Sequence, residues 1–206
     1  MAYDNSARTA SARATRARVL TAGRTSFVKH GFTGTTIRHI AEEAGVSQET
    51  IYKAFGGKAG LLKAVYDTML VGDDEQVPLA QRPEAQAVVA APGPVEAMTA
   101  YAELAQMISA RVDPLLRVLL ASRDTDAALS SFARTIDEER RAGSVMWVRH
   151  WRDAGWLREG LEVDKAADIL CALNSNEPRW FLQDRGWTAD EITAWLADTL
   201  CHALLR

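Results

Sequence analysis

Hydrophobic positions along this chain recur at helical spacing, and no stretch of any length alternates with the two-residue period of a strand. The pattern predicts an all-α fold. Its sharpest instance lies between Thr35 and Leu62. There Ile37, Ile40, Ala41 and Ala44 form an i, i+3, i+4, i+7 set on one face of a short helix. Gly45 follows, a residue that takes positive φ readily where a helix stops. Val46 closes the turn, and Ser47 is a good N-cap for a second helix with Ile51, Ala54 and Phe55 turned inward. Ala41 falls where the two backbones would come closest, so a bulky side chain there would wedge them apart. Two short helices joined through such a glycine corner describe a helix-turn-helix, whose second member enters the major groove of DNA.

The rest of the chain divides around this element. Residues 1–12 are small and polar and are expected to form a disordered tail. A helix is predicted from Arg13 to His30, with Val19, Leu20, Gly23 and Phe27 inward and Gly31 ending it. Residues 13–58 then make up the helix-turn-helix domain, and a connecting helix opening at Lys58 fills 59–71 with the stripe Leu61, Leu62, Val65, Tyr66, Met69 and Leu70. Residues 72–94 carry the acidic cluster Asp73-Asp74-Glu75 and four of the six prolines. So long a connection points to a junction, with room for one short helix after Pro83. Four helical patterns occupy 95–206. The first begins with Pro94 at N1 and is interrupted at Pro114. The second spans 125–154, with Asp137 and Arg141 at the favourable i, i+4 spacing on a solvated face. The third runs from Val163 to Leu182 and is kinked or restarted near Asn176 by Pro178. The last opens with a capping box between Thr188 and Glu191.

Charge sharpens the division. Residues 1–58 hold nine Lys/Arg against four Asp/Glu, a balance of +5 within a net charge of −3, which leaves −8 for the remainder. A basic N-terminal module on an acidic body suits a protein that touches nucleic acid at one end. No apolar run reaches the ~20 residues that cross a bilayer, and the N-terminus has no apolar signal core, so no membrane partner is expected. Cys171 and Cys201 sit inside apolar patterns, where two buried thiols are the simpler reading and a redox-sensing pair the rarer one. The four histidines show no metal-ligand spacing, and P-loop, GxGxxG and G-x-S-x-G signatures are absent. The expectation is a non-enzyme with no metal and no cofactor.

The stretch resembles the DNA-binding domain of the tetracycline-repressor-like (TetR) family of bacterial transcription regulators. The resemblance rests on Phe27, Gly31-Phe32, Thr36, Ile40-Ala41, Ala44-Gly45-Val46-Ser47, Thr50-Ile51-Tyr52, Phe55, Lys58 and Leu61-Leu62, across roughly residues 15 to 70. Gly186-Trp187-Thr188 and Trp195-Leu196 resemble the closing helices of part of the family. Glu49 departs from it, standing where glycine, alanine or a basic residue is common. The resemblance implies a cytoplasmic, nucleoid-associated bacterial regulator, usually a repressor. It would bind double-stranded operator DNA as a homodimer and use residues 95–206 for ligand binding and dimerisation.

Candidate DNA contacts are Thr36, Arg38, Ser47, Gln48, Glu49, Thr50, Tyr52, Lys53 and Lys58. Gln48 suits adenine, Glu49 cytosine and Thr50 a thymine methyl, while Thr36, Tyr52 and Lys58 are placed for phosphates. Capping alone also explains Thr36 and Ser47, and a core position is the competing reading of Tyr52. Arg8, Arg13, Arg16 and Arg18 reach phosphates or a minor groove, or form a solvated basic tail. Trp180, Phe181, Ile192, Trp195, Leu196, Thr199 and Ala203 form the candidate dimer surface, unless they pack within the chain. All six tryptophans lie beyond residue 146, with Trp147 and Trp151 one turn apart. Met98, Tyr101, Arg111, Trp147, His150, Trp151, Cys171 and Asn174 are therefore candidate walls of a pocket for a small apolar or aromatic effector, with ordinary core as the alternative. Two other functions stay open: a DNA-binding regulator without a ligand, and an all-α binding protein or enzyme with a vestigial DNA head.

Overall fold

The structure, a computed structural model, describes residues 3–75, 77–124 and 126–206, with side chains from Arg8 onward. It is all-α. Among the described residues the only β feature is an isolated bridge between Leu157 and Leu205. The chain forms two compact units, one of Met1–Glu75 with Arg111–Ala133, the other of Gln76–Ala110 with Arg134–Arg206.

The first unit opens with α1 (Tyr3–Gly34). Residues 3–12, expected to be disordered, are helical instead; Met1 and Ala2 lie outside the described residues. The sequence 7–18 is rich in Ala and Arg, both strong helix formers, which favour continuing the helix toward the N-terminus. Gly31, at φ 67° and ψ −177°, breaks α1, as expected of a glycine at that point. Then come α2 (Ile37–Ala44), α3 (Gln48–Phe55) and α4 (Lys58–Val71). Helix α1 packs on α2 and α4, and α3 packs on both α2 and α4. Val19, Phe27, Ile40, Ile51, Leu61, Leu62 and Val65 make the shared core. Gly23 lets α1 and α4 approach closely, because a Cβ there would stand 3.2 Å from Val65 Cγ2.

In the junction, a 3-10 turn (Leu79–Gln81) precedes α5 (Pro83–Val89), with Pro83 at the start where the sequence placed a short helix. Helix α6 (Pro94–Leu120) runs straight through Pro114, where an interruption was expected. Pro114 and the residue four before it, Ala110, both face solvent. Water can satisfy the carbonyl that proline leaves without a donor, so the helix survives. Helix α7 (Ala127–Asp153) follows. The third pattern divides into α8 (Val163–Leu173) and α9 (Asn176–Gln183), with Pro178 in the first turn of α9, where no intrahelical N–H bond is lost. Helix α10 (Ala189–Leu204) begins with the expected capping box: Thr188 N–H donates to Glu191 Oε2 at 2.7 Å, and Glu191 N–H to Thr188 Oγ1 at 3.2 Å.

The core of the second unit gathers Met98, Tyr101, Val148, Trp151, Leu170, Leu196 and Leu200 from α6, α7, α8 and α10. Arg141, expected to pair with Asp137 along its own helix, reaches α8 instead, 3.0 Å from Asp168 and 3.4 Å from Asp164. Asp137 pairs with Arg140.

Candidate nucleic-acid interface and effector site

Helix α2 starts at Thr36, whose hydroxyl accepts from His39 N–H at 3.2 Å, and ends at Gly45 in the left-handed region at φ 64° and ψ 41°. Arg18 of α1 donates Nε to the Ala44 carbonyl at 3.0 Å and so caps the same end from outside. Ser47 Oγ then accepts from Thr50 N–H at 3.1 Å and lies 2.9 Å from Thr50 Oγ1. Capping thus accounts for one duty of Thr36 and of Ser47, and the Thr50 hydroxyl is engaged locally.

Helix α3 is held to the head by very little. Ile51 is its one buried residue, and Phe55 is half-buried under the Arg16 guanidinium, 4.9 Å from the ring centroid. Ala54, expected inward, is exposed, because an eight-residue helix lying across its neighbours hides only a narrow stripe. Gln48, Glu49, Thr50 and Lys53 all face solvent. Tyr52 is 54% exposed, which sets aside its reading as a core aromatic, and its ring lies beside Gly57, where a Cβ would stand 3.5 Å from Cε1. On α2, Arg38 is exposed and pairs with Glu42 at 2.9 Å.

Lys58 has structural work within the unit. Its ammonium donates to the carbonyls of Phe32 at 2.8 Å and Thr35 at 3.1 Å and stands 4.2 Å from the Phe32 ring centroid. Two of its three N–H donors are thereby spent before any phosphate arrives. Of the N-terminal arginines, Arg16 grips both oxygens of Asp74 at 3.0 and 2.9 Å, Arg18 caps α2, and Arg8 and Arg13 remain exposed on α1.

Sequence reasoning passed over Gly60. An added Cβ there would overlap the Phe55 carbonyl oxygen, so α4 approaches the end of α3 more closely than a side chain permits. A glycine inside an otherwise helical pattern was the available signal.

The structure brings most of the effector candidates together in the second unit. The Tyr101 ring meets Trp147 and Trp151 edge-on, with centroids 6.0 and 5.5 Å apart, and the two indoles stack at 6.5 Å. Asn174, at the end of α8, donates Nδ2 to the Tyr101 hydroxyl at 3.0 Å. Burial pushes the Tyr101 phenol well above its ordinary value, with the Asn174 bond working against it. Met98 is fully buried in the same core. The Cys171 thiol is half-buried and raised by that burial, as is Cys201. Trp151 Nε1 and His150 Nε2 are buried and meet no hydrogen-bond partner among the described residues. Arg111 does not join this group. It belongs to the first unit, where its guanidinium lies against Gly72.

The candidate dimer surface splits likewise. Ile192 and Leu196 are buried by their own chain, because they are the inward stripe of α10. Trp180, Trp195, Thr199 and Ala203 are half-buried, and Phe181 is exposed beneath the Arg185 guanidinium, 3.4 Å from its centroid. Among the described residues no three His, Cys, Asp or Glu side chains converge as for a metal, and no helix is long and apolar enough to cross a membrane.

A glycine-cornered pair of short helices, with the second exposing a polar face, defines a DNA-binding helix-turn-helix regulator of transcription. Residues 19–65 match the family described as "Bacterial regulatory proteins, tetR family". The chain is 26% identical over 153 residues to the HTH-type transcriptional regulator YdeS of Bacillus subtilis, covering 74% of this chain and 72% of that one. It is 41% identical over 58 residues, 28% of each chain, to the HTH-type transcriptional regulator TtgR of Pseudomonas putida. SmeT, the repressor of the Stenotrophomonas maltophilia multidrug efflux pump SmeDEF, shares the fold with a TM-score of 0.65 at 19% identity, over 93% of this chain and 90% of that one. The SmeT–triclosan complex gives 0.67 at 20% identity, over 94% and 92%. Residues 19–65 thus carry a tetR-family DNA-binding segment, and the rest of the chain is similar to regulators of that family.

Proposed function

We propose that this regulator is a repressor that binds a near-palindromic operator as a homodimer and is released by a small aromatic effector. The observation that carries the effector is the indole N–H of Trp151, a buried donor with no acceptor among the described residues, set against the rings of Tyr101 and Trp147. An unmet buried donor costs about 1–3 kcal/mol, which a ligand acceptor would recover. SmeT, a repressor of the same fold that forms a triclosan complex, supports the reading. In this reading Gln48, Glu49 and Lys53 read bases, and Thr36, Arg38, Ser47, Thr50, Tyr52 and Lys58 hold the phosphate backbone or the helix that faces it. Half-buried Trp180, Trp195, Thr199 and Ala203, with Phe181, form the dimer face.

Binding works as a switch only through differential affinity for two states of the dimer, and a coupling of ~1–3 kcal/mol suffices. Helices α6 and α7 each contribute residues to both units, so their continuity offers the route. The test is a thermal-shift screen of aromatic compounds, triclosan among them, followed by gel shift on DNA upstream of the coding sequence. The expected result is a compound that raises the melting temperature and releases the DNA. Operator binding that no compound alters would instead leave a regulator without a small-molecule ligand.

A further inference from the structure

The first unit contains a cleft of its own, of about 280 Å³, between α1 and α4. Leu20, Val65 and Met69 give it an apolar floor. Its mouth carries Arg24, Arg111 and Asp74. The Asp74 carboxylate is already gripped through both oxygens by Arg16, so its charge is met from outside the lining. Arg24 therefore leaves a guanidinium at the mouth over an uncharged floor. Gly72 lies against the Arg111 guanidinium: it sits at φ +97°, and a Cβ there would stand 2.7 Å from Arg111 Nη1.

We propose that this cleft binds a small amphipathic monocarboxylate, its apolar body on Leu20 and Met69 and its carboxylate at Arg24. The volume lies just under the ~300–1,000 Å³ of ordinary ligand pockets, which limits the occupant to a short acid. Guanidinium and carboxylate match as paired donors and acceptors, which sets the acid apart from an alcohol of the same length. The site is separate from the aromatic cluster and does not depend on it.

Octanoate titrated into the full-length protein by isothermal calorimetry is the test, with octan-1-ol as the neutral comparison and Arg24→Gln and Thr21→Phe as variants. Thr21 lines the cleft, and both side chains are exposed, so the fold does not rest on either. The expected result is one saturable octanoate site per chain, weakened by about tenfold in each variant, with octan-1-ol weaker by a similar factor. Trp151→Phe should bind octanoate as the parent does. Absence of saturable binding, octan-1-ol binding as tightly as the acid, or octanoate binding unchanged in both variants would overturn the assignment.

Discussion

The ammonium of Lys58 lies 2.8 Å from the carbonyl oxygen of Phe32 and 4.2 Å from the centroid of the same residue's ring. A second bond to Thr35 O, at 3.1 Å, ties the first residue of α4 to the corner between α1 and α2. Ser26, Thr35 and Gly31 complete that corner: Ser26 Oγ donates to Thr35 Oγ1 at 3.2 Å, and Thr35 Oγ1 to Gly31 O at 2.7 Å. Lys58→Met removes the charge-assisted pair and should destabilise the protein by about 1–2 kcal/mol in urea unfolding, the site being half-buried. A purely phosphate-contacting lysine would leave the unfolding midpoint unchanged.

Gly60→Ala places a methyl group where the Phe55 carbonyl oxygen already sits. The end of α3 or the start of α4 must shift, at a cost of about 1–3 kcal/mol. Gel shift should report weaker operator binding at temperatures where the variant is still folded. An alanine variant with parental unfolding and parental affinity would contradict the close approach.

Gln48→Ala and Glu49→Ala touch exposed positions, so stability should stay within about 0.5 kcal/mol of the parent. Operator discrimination should fall by about 1–3 kcal/mol at one base pair each, read by competition with single-base operator variants. A uniform loss across all sequences would assign them to phosphates instead.

The Tyr101–Asn174 bond is testable by a double-mutant cycle with Tyr101→Phe and Asn174→Ala. The Tyr101 ring is buried in aromatic surroundings, and the expected coupling is about 0.5–1.5 kcal/mol by urea unfolding. Additive effects would mean the pair contributes nothing jointly.

Glu191 is held below its ordinary value of 4.5, first by the Thr188 backbone N–H and then by the Thr188 hydroxyl. A carboxylate with a lowered folded pKa stabilises above its unfolded value, and that gain is lost as pH falls through the folded one. Glu191→Gln should therefore be less stable than the parent at neutral pH. The gap should close as the pH drops through 4.5 and below. A pH-independent gap would assign the effect to geometry alone.

The local elements were legible because their signals are local. Gly45, Ser47 and the Thr188–Glu191 box each act within a few residues, and each does what its type and spacing predict. Pro114 misled because its effect depends on which side of α6 meets water, and a sequence window does not show that. Arg111 shares a helix with Met98 and Tyr101 but lies in the other unit, since α6 is long enough to serve both. Ile192 and Leu196 had the pattern of an interface, yet one apolar stripe looks the same whether its own chain or a second copy covers it. Lys58 is the subtlest case: its distance partners, Phe32 and Thr35, lie 26 and 23 residues away.

Helix α3 is secured chiefly through Ile51, while its other side chains up to Lys53 are exposed to solvent. Retargeting is therefore inexpensive for such a molecule. The residues that choose a binding sequence can be exchanged wholesale while the scaffold beneath them stays as it is, so descendants of one ancestor can diverge in the genes they govern long before they diverge in shape.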